Sequence, residues 1–145
     1  MKTARVTLAL LCLALVHCSS SSSNPPPGPV GQSCTTANQC YAGLDAGAIS
    51  GQVTCLTKVP DGYCTHTCSV DADCCATPGE CPDGRPQLCA PFESTGQMYC
   101  FLSCEASLLA DSGVSDNTYC ATYASASFSC RSTGGGSQNR KICAP

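Results

Sequence analysis

Tryptophan is missing from this chain, and aromatic residues as a whole supply only 6% of its 145 positions. That is too few bulky side chains to fill a conventional core by hydrophobic burial alone. Charge is equally scarce, with Asp, Glu, Lys and Arg together making up 12% and a formal balance of −3. The scarcity of basic residues excludes nucleic acid as a partner, because a phosphate backbone demands a positive footprint. Electrostatic attachment to an anionic membrane surface fails for the same reason. Histidine occurs twice, as His17 and His66, and no Gly-x-Ser-x-Gly elbow or Cys-x-x-Cys pair is present. With so few acids and bases, paired-carboxylate, triad and thiol-oxidoreductase chemistry all lack support. We therefore expect no catalytic residues, no metal and no cofactor.

What the chain has instead is cysteine, sixteen in all. Fourteen of these lie downstream of the first thirty residues: Cys34, Cys40, Cys55, Cys64, Cys68, Cys74, Cys75, Cys81, Cys89, Cys100, Cys104, Cys120, Cys130 and Cys143. An even number of cysteines in a segment poor in large apolar residues reads as a disulfide framework. Seven bridges would each constrain the unfolded chain by about 2–4 kcal/mol, enough to replace a missing core. The adjacent Cys74 and Cys75 are expected to take different partners rather than bond to each other. One sequence does not fix the pairing.

The other two cysteines, Cys12 and Cys18, lie in or at the end of an export signal. Lys2 and Arg5 precede an uncharged apolar run from Val6 to Val16 that is too short to span a membrane. We assign residues 1–17 to a signal peptide. Leu15-Val16-His17-Cys18 resembles the lipobox of bacterial lipoproteins, with His17 standing where Gly, Ala or Ser is usual, and this implies lipidation at Cys18. Residues 18–30, rich in Ser and Pro, form the expected tether between lipid and folded domain. The alternative is a freely secreted protein cut behind Ser20. Without residues 1–17, five basic side chains face ten acidic ones, a formal charge of −5.

Cysteine spacing divides the remainder into three Cys-rich units, 31–61, 62–97 and 98–145. The second and third both open with Tyr-Cys-x-x-x-Cys (Tyr63 to Cys68, Tyr99 to Cys104) and close with Cys-Ala-Pro at Cys89 and Cys143, which suggests internal duplication. The units hold three, six and five cysteines, so at least one bridge must cross a boundary, with Cys55 and Cys64 the natural candidates. Pro60-Asp61-Gly62 is a turn signal between the short β-prone segments at Gln52–Leu56 and Tyr63–Thr65, and Gln87–Cys89 with Tyr99–Leu102 reads as a second hairpin. Helix is expected only at Cys104–Ala110, capped by Ser103, with one helical turn after Ser69. Thr133–Asn139, glycine-rich, reads as a loop. The fold class is small and disulfide-rich, irregular, with short β-hairpins and loops and little helix.

Gly31-x-x-Cys34-x5-Cys40, followed by Gly62-Tyr63-Cys64-x3-Cys68-Ser69-Val70-Asp71-Ala72-Asp73-Cys74, resembles the cysteine-rich predicted lipoproteins of myxobacteria and related bacteria. Its Asp-x-Asp-Cys element is distantly similar to the N-terminal cysteine-rich module of Dickkopf proteins. The resemblance implies an envelope location, an outer-membrane lipoprotein exposed to the periplasm or exterior, and no particular reaction.

Finer signals have plain structural readings. Cys64, His66 and Cys68 have zinc-ligand chemistry, but in an oxidising compartment paired thiols are the default. Asp71, Asp73, Glu80 and Asp83 lack the central Gly and closing Glu of an EF-hand, and a capping or solvated acidic turn is the better assignment. Two functions follow. The first is an anchored binding or structural display module, touching a surface protein or glycan through exposed tyrosines such as Tyr41, Tyr119 and Tyr123. The second is a secreted protease inhibitor presenting the loops Thr77–Glu80 and Pro82–Gln87, with Arg85 as its primary side chain.

Overall fold

The computed structural model describes residues 30–81, 85–92, 96–109, 115–134 and 139–145. The expected signal peptide, nearly all of the tether, Cys18, Asp83 and the centre of the 133–139 loop lie outside the described residues. Three two-stranded antiparallel sheets carry the chain. Strand β1 (Val53–Cys55) pairs with β2 (Cys64–His66), β3 (Gln87–Pro91) with β4 (Met98–Leu102), and β5 (Ser129–Ser132) with β6 (Lys141–Ala144). Among the described residues, helix is confined to α1 (Ala106–Leu109), α2 (Asp116–Tyr123) and 3₁₀ turns at Ala37–Gln39 and Asp71–Cys75. The fold is thus small, disulfide-rich and poor in helix, as the composition implies.

The first two hairpins form where β-branched and aromatic residues flank the turn signals. The expected helix after Cys104 is shorter than its composition suggests, and Ser103 Oγ accepts the Glu105 N–H just ahead of it (3.2 Å). Neither α2 nor the third hairpin is anticipated by the sequence. Of α2, only Tyr119 and Cys120 are buried, too few positions to print a helical period on the chain.

All fourteen cysteines pair. The bridges are Cys34–Cys55, Cys40–Cys64, Cys68–Cys89, Cys74–Cys100, Cys75–Cys81, Cys104–Cys130 and Cys120–Cys143. Apart from Cys75–Cys81, they fall into three quartets joined in the same order, first to third and second to fourth. In every quartet the third and fourth cysteines stand directly opposite on a hairpin: Cys55 on Cys64, Cys89 on Cys100, Cys130 on Cys143. In the second and third quartets the second cysteine sits within a helical turn, Cys74 in Asp71–Cys75 and Cys120 in α2; in the first, Cys40 directly follows the Ala37–Gln39 turn.

The quartets do not coincide with the units read from spacing. Cys64 and Cys100, which open units two and three in the sequence, close the first and second quartets, so two bridges cross the spacing-defined boundaries. The physical reason is that Tyr-Cys-x-x-x-Cys is one extended segment leaving one hairpin and entering the next. Its junctions match bond for bond. The Thr67 N–H donates to the Gln52 carbonyl (3.0 Å) and the Ser103 N–H to the Pro86 carbonyl (2.9 Å). The Cys68 N–H donates to the Met98 carbonyl (3.3 Å) and the Cys104 N–H to the Lys141 carbonyl (3.1 Å). Isolated bridges link Thr67 to Tyr99 and Ser103 to Ile142, again at equivalent offsets from the cysteines.

The third quartet returns against the first. Phe128 stacks on Tyr63 with ring centroids 5.8 Å apart and planes 5° from parallel, and Phe101 packs against the same tyrosine at 5.4 Å. The Tyr63 hydroxyl accepts the Leu102 N–H (3.0 Å), so this buried phenol is both wedge and hydrogen-bond partner. Few aromatics suffice because they meet at one place.

Gly62 shows how tight the first turn is. It adopts φ +70°, and a Cβ there would lie 1.9 Å from the Cys34 carbonyl oxygen. Gly96 has a similar φ of +74° with nothing within 4 Å of such a Cβ. Gly96→Ala should therefore cost only the left-handed strain, about 1 kcal/mol, and Gly62→Ala at least about 2 kcal/mol more. Denaturant unfolding of the oxidised variants measures both; equal losses would mean that the close approach contributes nothing.

Candidate functional site

Two places concentrate polar groups. The first is interior. His66 ends β2, and Glu80 lies on the loop that follows the Asp71–Cys75 turn; both side chains are 0% exposed. His66 Nε2 lies 2.5 Å from Glu80 Oε1, Nδ1 lies 3.0 Å from the Thr67 carbonyl, and Glu80 Oε2 accepts the Thr77 N–H at 3.1 Å. Since a carbonyl only accepts, Nδ1 carries a proton, and one more proton lies between Nε2 and Oε1. The pair is neutral as a whole, the condition under which burial is tolerated. With both nitrogens engaged, His66 has none left to take a proton from a nucleophile, so this arrangement does not form a triad. It clamps the first hairpin to the loop of the second quartet.

Tyr41 completes the cluster, its ring edge-on to His66 at 5.7 Å. Its backbone is left-handed at φ +58°, unusual for an aromatic residue, and its buried hydroxyl has no hydrogen-bond partner among the described residues. Burial, with the Glu80 charge and Tyr63 adding to it, raises the phenol well above its ordinary value of 10.0.

The second place is an open cleft of about 1160 Å³. It is lined by residues 31–35, Gln39, residues 57–62, Ala124 and Ser125. The 31–35 stretch is held by hydrogen bonds from the Gly31 N–H to the Cys64 carbonyl (3.0 Å) and from the Cys34 N–H to the Asp61 carbonyl (3.0 Å). Lys58 and Asp61 are the only charged lining residues among those described, and Ser33, Thr35, Thr57 and Ser125 supply hydroxyls. Such a lining suits a neutral, polar ligand better than a charged one.

Several sequence expectations change here. Tyr41 and Tyr119 are buried and Tyr123 half-buried, so the expected exposed tyrosines are not a contact surface. They are drawn inward because the chain has almost nothing else large enough to fill its interior. Burial, reinforced by Tyr123 and opposed by the Arg85 charge, leaves the Tyr119 phenol pushed up to about 12. Arg85 is only 6% exposed, with its guanidinium 4.7 Å above the Tyr123 ring, a cation–π contact rather than a protruding primary side chain. Of the Thr77–Glu80 loop, Glu80 is buried and the Thr77 hydroxyl donates to the Ala48 carbonyl (2.7 Å). Residues 82–84 lie outside the described residues.

Of the acidic residues weighed for calcium, Asp71, Asp73 and Glu80 have other work, and Asp83 lies outside the described residues. Asp73 Oδ2 accepts the Ser69 and Val70 N–H groups (2.8 and 3.1 Å), capping the 3₁₀ turn, and these bonds lower its pKa. Asp71 Oδ1 accepts the Cys89 N–H (2.9 Å), and its carboxylate pairs with Arg140 (3.0 Å). Arg140 also binds Glu105 (2.7 Å), tying the second quartet to the third. Nothing in the sequence marks Arg140, because its partners are distant in the chain. The sulfurs considered for zinc are all bridged. Cys34, Cys40 and Cys64 bring their sulfurs within 4.8 Å of one another, as do Cys68, Cys74 and Cys100, and Cys104, Cys120 and Cys143. These are crossed disulfides, which offer no thiolate ligands.

No family model matches the chain, and no curated protein or solved structure matches it either. Among the described residues no helix is long and apolar enough to cross a membrane.

Removing the unpartnered Tyr41 hydroxyl should help the fold: Tyr41→Phe is expected to gain about 1 kcal/mol, whereas Tyr63→Phe, which strands the Leu102 N–H, should lose about as much. Chemical denaturation of the two oxidised variants reads the difference directly. The Arg140 link predicts an acid dependence. Partial burial alone would raise the Asp71 carboxyl, but the hydrogen bonds from Arg140 and the Cys89 N–H outweigh it and hold the pKa below the usual 3.8. A carboxyl depressed by folding stabilises fully above its unfolded pKa, and that contribution is lost as pH falls through the folded one. The thermal midpoint should accordingly drop below about pH 4, and less steeply in Arg140→Gln; identical acid limbs would remove Arg140 from the account.

Proposed function

We propose that the chain is an exported, lipid-anchored protein of the bacterial cell envelope that acts by binding or structural display, without catalysis. The coarse part of this reading rests directly on the bridges, since seven disulfides mark an extracellular or envelope protein. The anchor rests on the lipobox-like Leu15-Val16-His17-Cys18; the fourteen cysteines from Cys34 onward are all partnered among themselves, a condition that acylation and removal of Cys18 both satisfy. None of them is left for Cys18, so a mature chain that keeps this residue needs another fate for its thiol, and acylation supplies one. Several acyl chains at about 0.8 kcal/mol per buried CH₂ make such an anchor effectively permanent.

In this reading residues 1–17 are removed as a signal peptide, the Ser/Pro-rich stretch to residue 30 is the tether, and the three quartets are copies of one duplicated module. The shared pairing order and the matching junction bonds support common descent. The likeness to the cysteine-rich lipoproteins of myxobacteria fits the same location. The cleft beside residues 31–35 faces the start of the folded part, and its neutral lining suits a glycan or a surface-protein segment. The alternative, a secreted protease inhibitor, is weakened because Arg85 lies beneath the surface.

Intact mass of protein purified from bacterial membranes, before and after reduction and alkylation, tests the proposal. The expected species begins at Cys18, carries acyl mass, and gains fourteen alkyl groups only after reduction. Unlipidated protein recovered from the medium would overturn the anchor and return weight to the inhibitor; alkylation without reduction would overturn the disulfide frame.

A further inference from the structure

Six of the seven bridges contain at least one buried cysteine: Cys34, Cys40, Cys64, Cys74, Cys89, Cys100, Cys104, Cys120 and Cys143 are all within the core. Cys75–Cys81 is the exception, Cys75 being exposed and Cys81 half-buried. It is also the one bridge outside the crossed quartets, and it closes the shortest loop, with a sequence separation of 6 against 21 to 26 for the others. Access governs the rate of thiol–disulfide exchange, and a short loop loses the least chain constraint when opened.

We propose that Cys75–Cys81 is a thiol-exchange site, open to low-molecular-weight thiols while the other six bridges stay closed. The attacking thiolate forms a bond to Cys75 Sγ, the exposed half, as the Cys75–Cys81 bond breaks. The electron pair leaves on Cys81, which takes a proton from water. A second thiol attacks the sulfur of the first, releasing the oxidised thiol dimer and leaving Cys75 reduced. Two thiols are oxidised for each bridge reduced.

The exchange reaches the interior. The loop closed by this bridge carries Glu80 to His66 and holds the Thr77 hydroxyl on the Ala48 carbonyl (2.7 Å), so opening it frees one arm of the clamp between the first and second quartets. The four residues that matter are Cys75, Thr77, Glu80 and Cys81, and the crossed quartets on either side remain covalently intact.

The test is incubation of the native oxidised protein with graded reduced glutathione, acid quenching, alkylation with N-ethylmaleimide and peptide mapping. We expect a glutathione adduct at Cys75 with alkylated Cys81, forming at least about tenfold faster than modification at any of the other twelve cysteines. Opening of another bridge first, opening of all seven together, or attachment chiefly at Cys81 would each overturn the proposal. The double variant Cys75→Ser, Cys81→Ser should be inert over the same glutathione range. The His66 ring resonances should shift in the adduct and in the double variant alike; unchanged resonances would sever the link from bridge to clamp.

Discussion

Two residues directly opposite each other on neighbouring antiparallel strands project from the same face. Each hairpin of this protein places two cysteines in that relation, and the rest of the structure depends on it. Both sulfurs aim at the chain segment lying across the hairpin, which supplies one partner from its beginning and one from its helical turn. The result is a crossed pair of bridges that pins three pieces of backbone at one point. Leu88, Leu102, Ile142 and the Tyr63–Phe128 stack then need only fill the spaces between those points. A protein with so few bulky residues is thereby given a fixed interior by covalent geometry, with hydrophobic burial as the supplement.

The few polar groups enclosed by this frame join the quartets together. His66 and Glu80 connect the first hairpin to the second quartet, while Arg140 connects the second and third through Asp71 and Glu105. One link is sealed and neutral; the other is at the surface and open to protonation. The cleft lies on the side where Ala124 and Ser125 approach the first hairpin, so its shape depends on the third quartet folding back onto the first.

Much of the frame is legible in the sequence. Cysteine parity, the Pro60-Asp61-Gly62 turn and the strand-forming residues around Cys89 and Cys100 point to the fold class and two of the hairpins. Pairing is not legible, because the same four cysteines of a quartet can be joined crossed or nested with no change in their spacing. The units are misplaced by one strand for a related reason: Tyr-Cys-x-x-x-Cys is the most regular pattern in the chain, yet it marks the joint rather than the start. Tyr41, Tyr119 and Arg85 mislead because single residues of their type are ordinarily exposed, and only the shortage of other large side chains explains their burial. Arg140 gives no local sign, since an ion pair across 69 positions has no spacing to read.

The spacing of the cysteines also bears on oxidation. Within each hairpin the third and fourth cysteines are nearer along the chain to each other than to their native partners, which stand 21 to 26 positions away. Closure of shorter loops is favoured in an unstructured chain, and closer still are Cys64 with Cys68, Cys100 with Cys104 and Cys34 with Cys40, none of them native partners, so early bonds include wrong ones. Reaching the crossed state requires those bonds to be attacked and exchanged. Oxidative folding of this protein therefore involves reshuffling disulfides as well as making them.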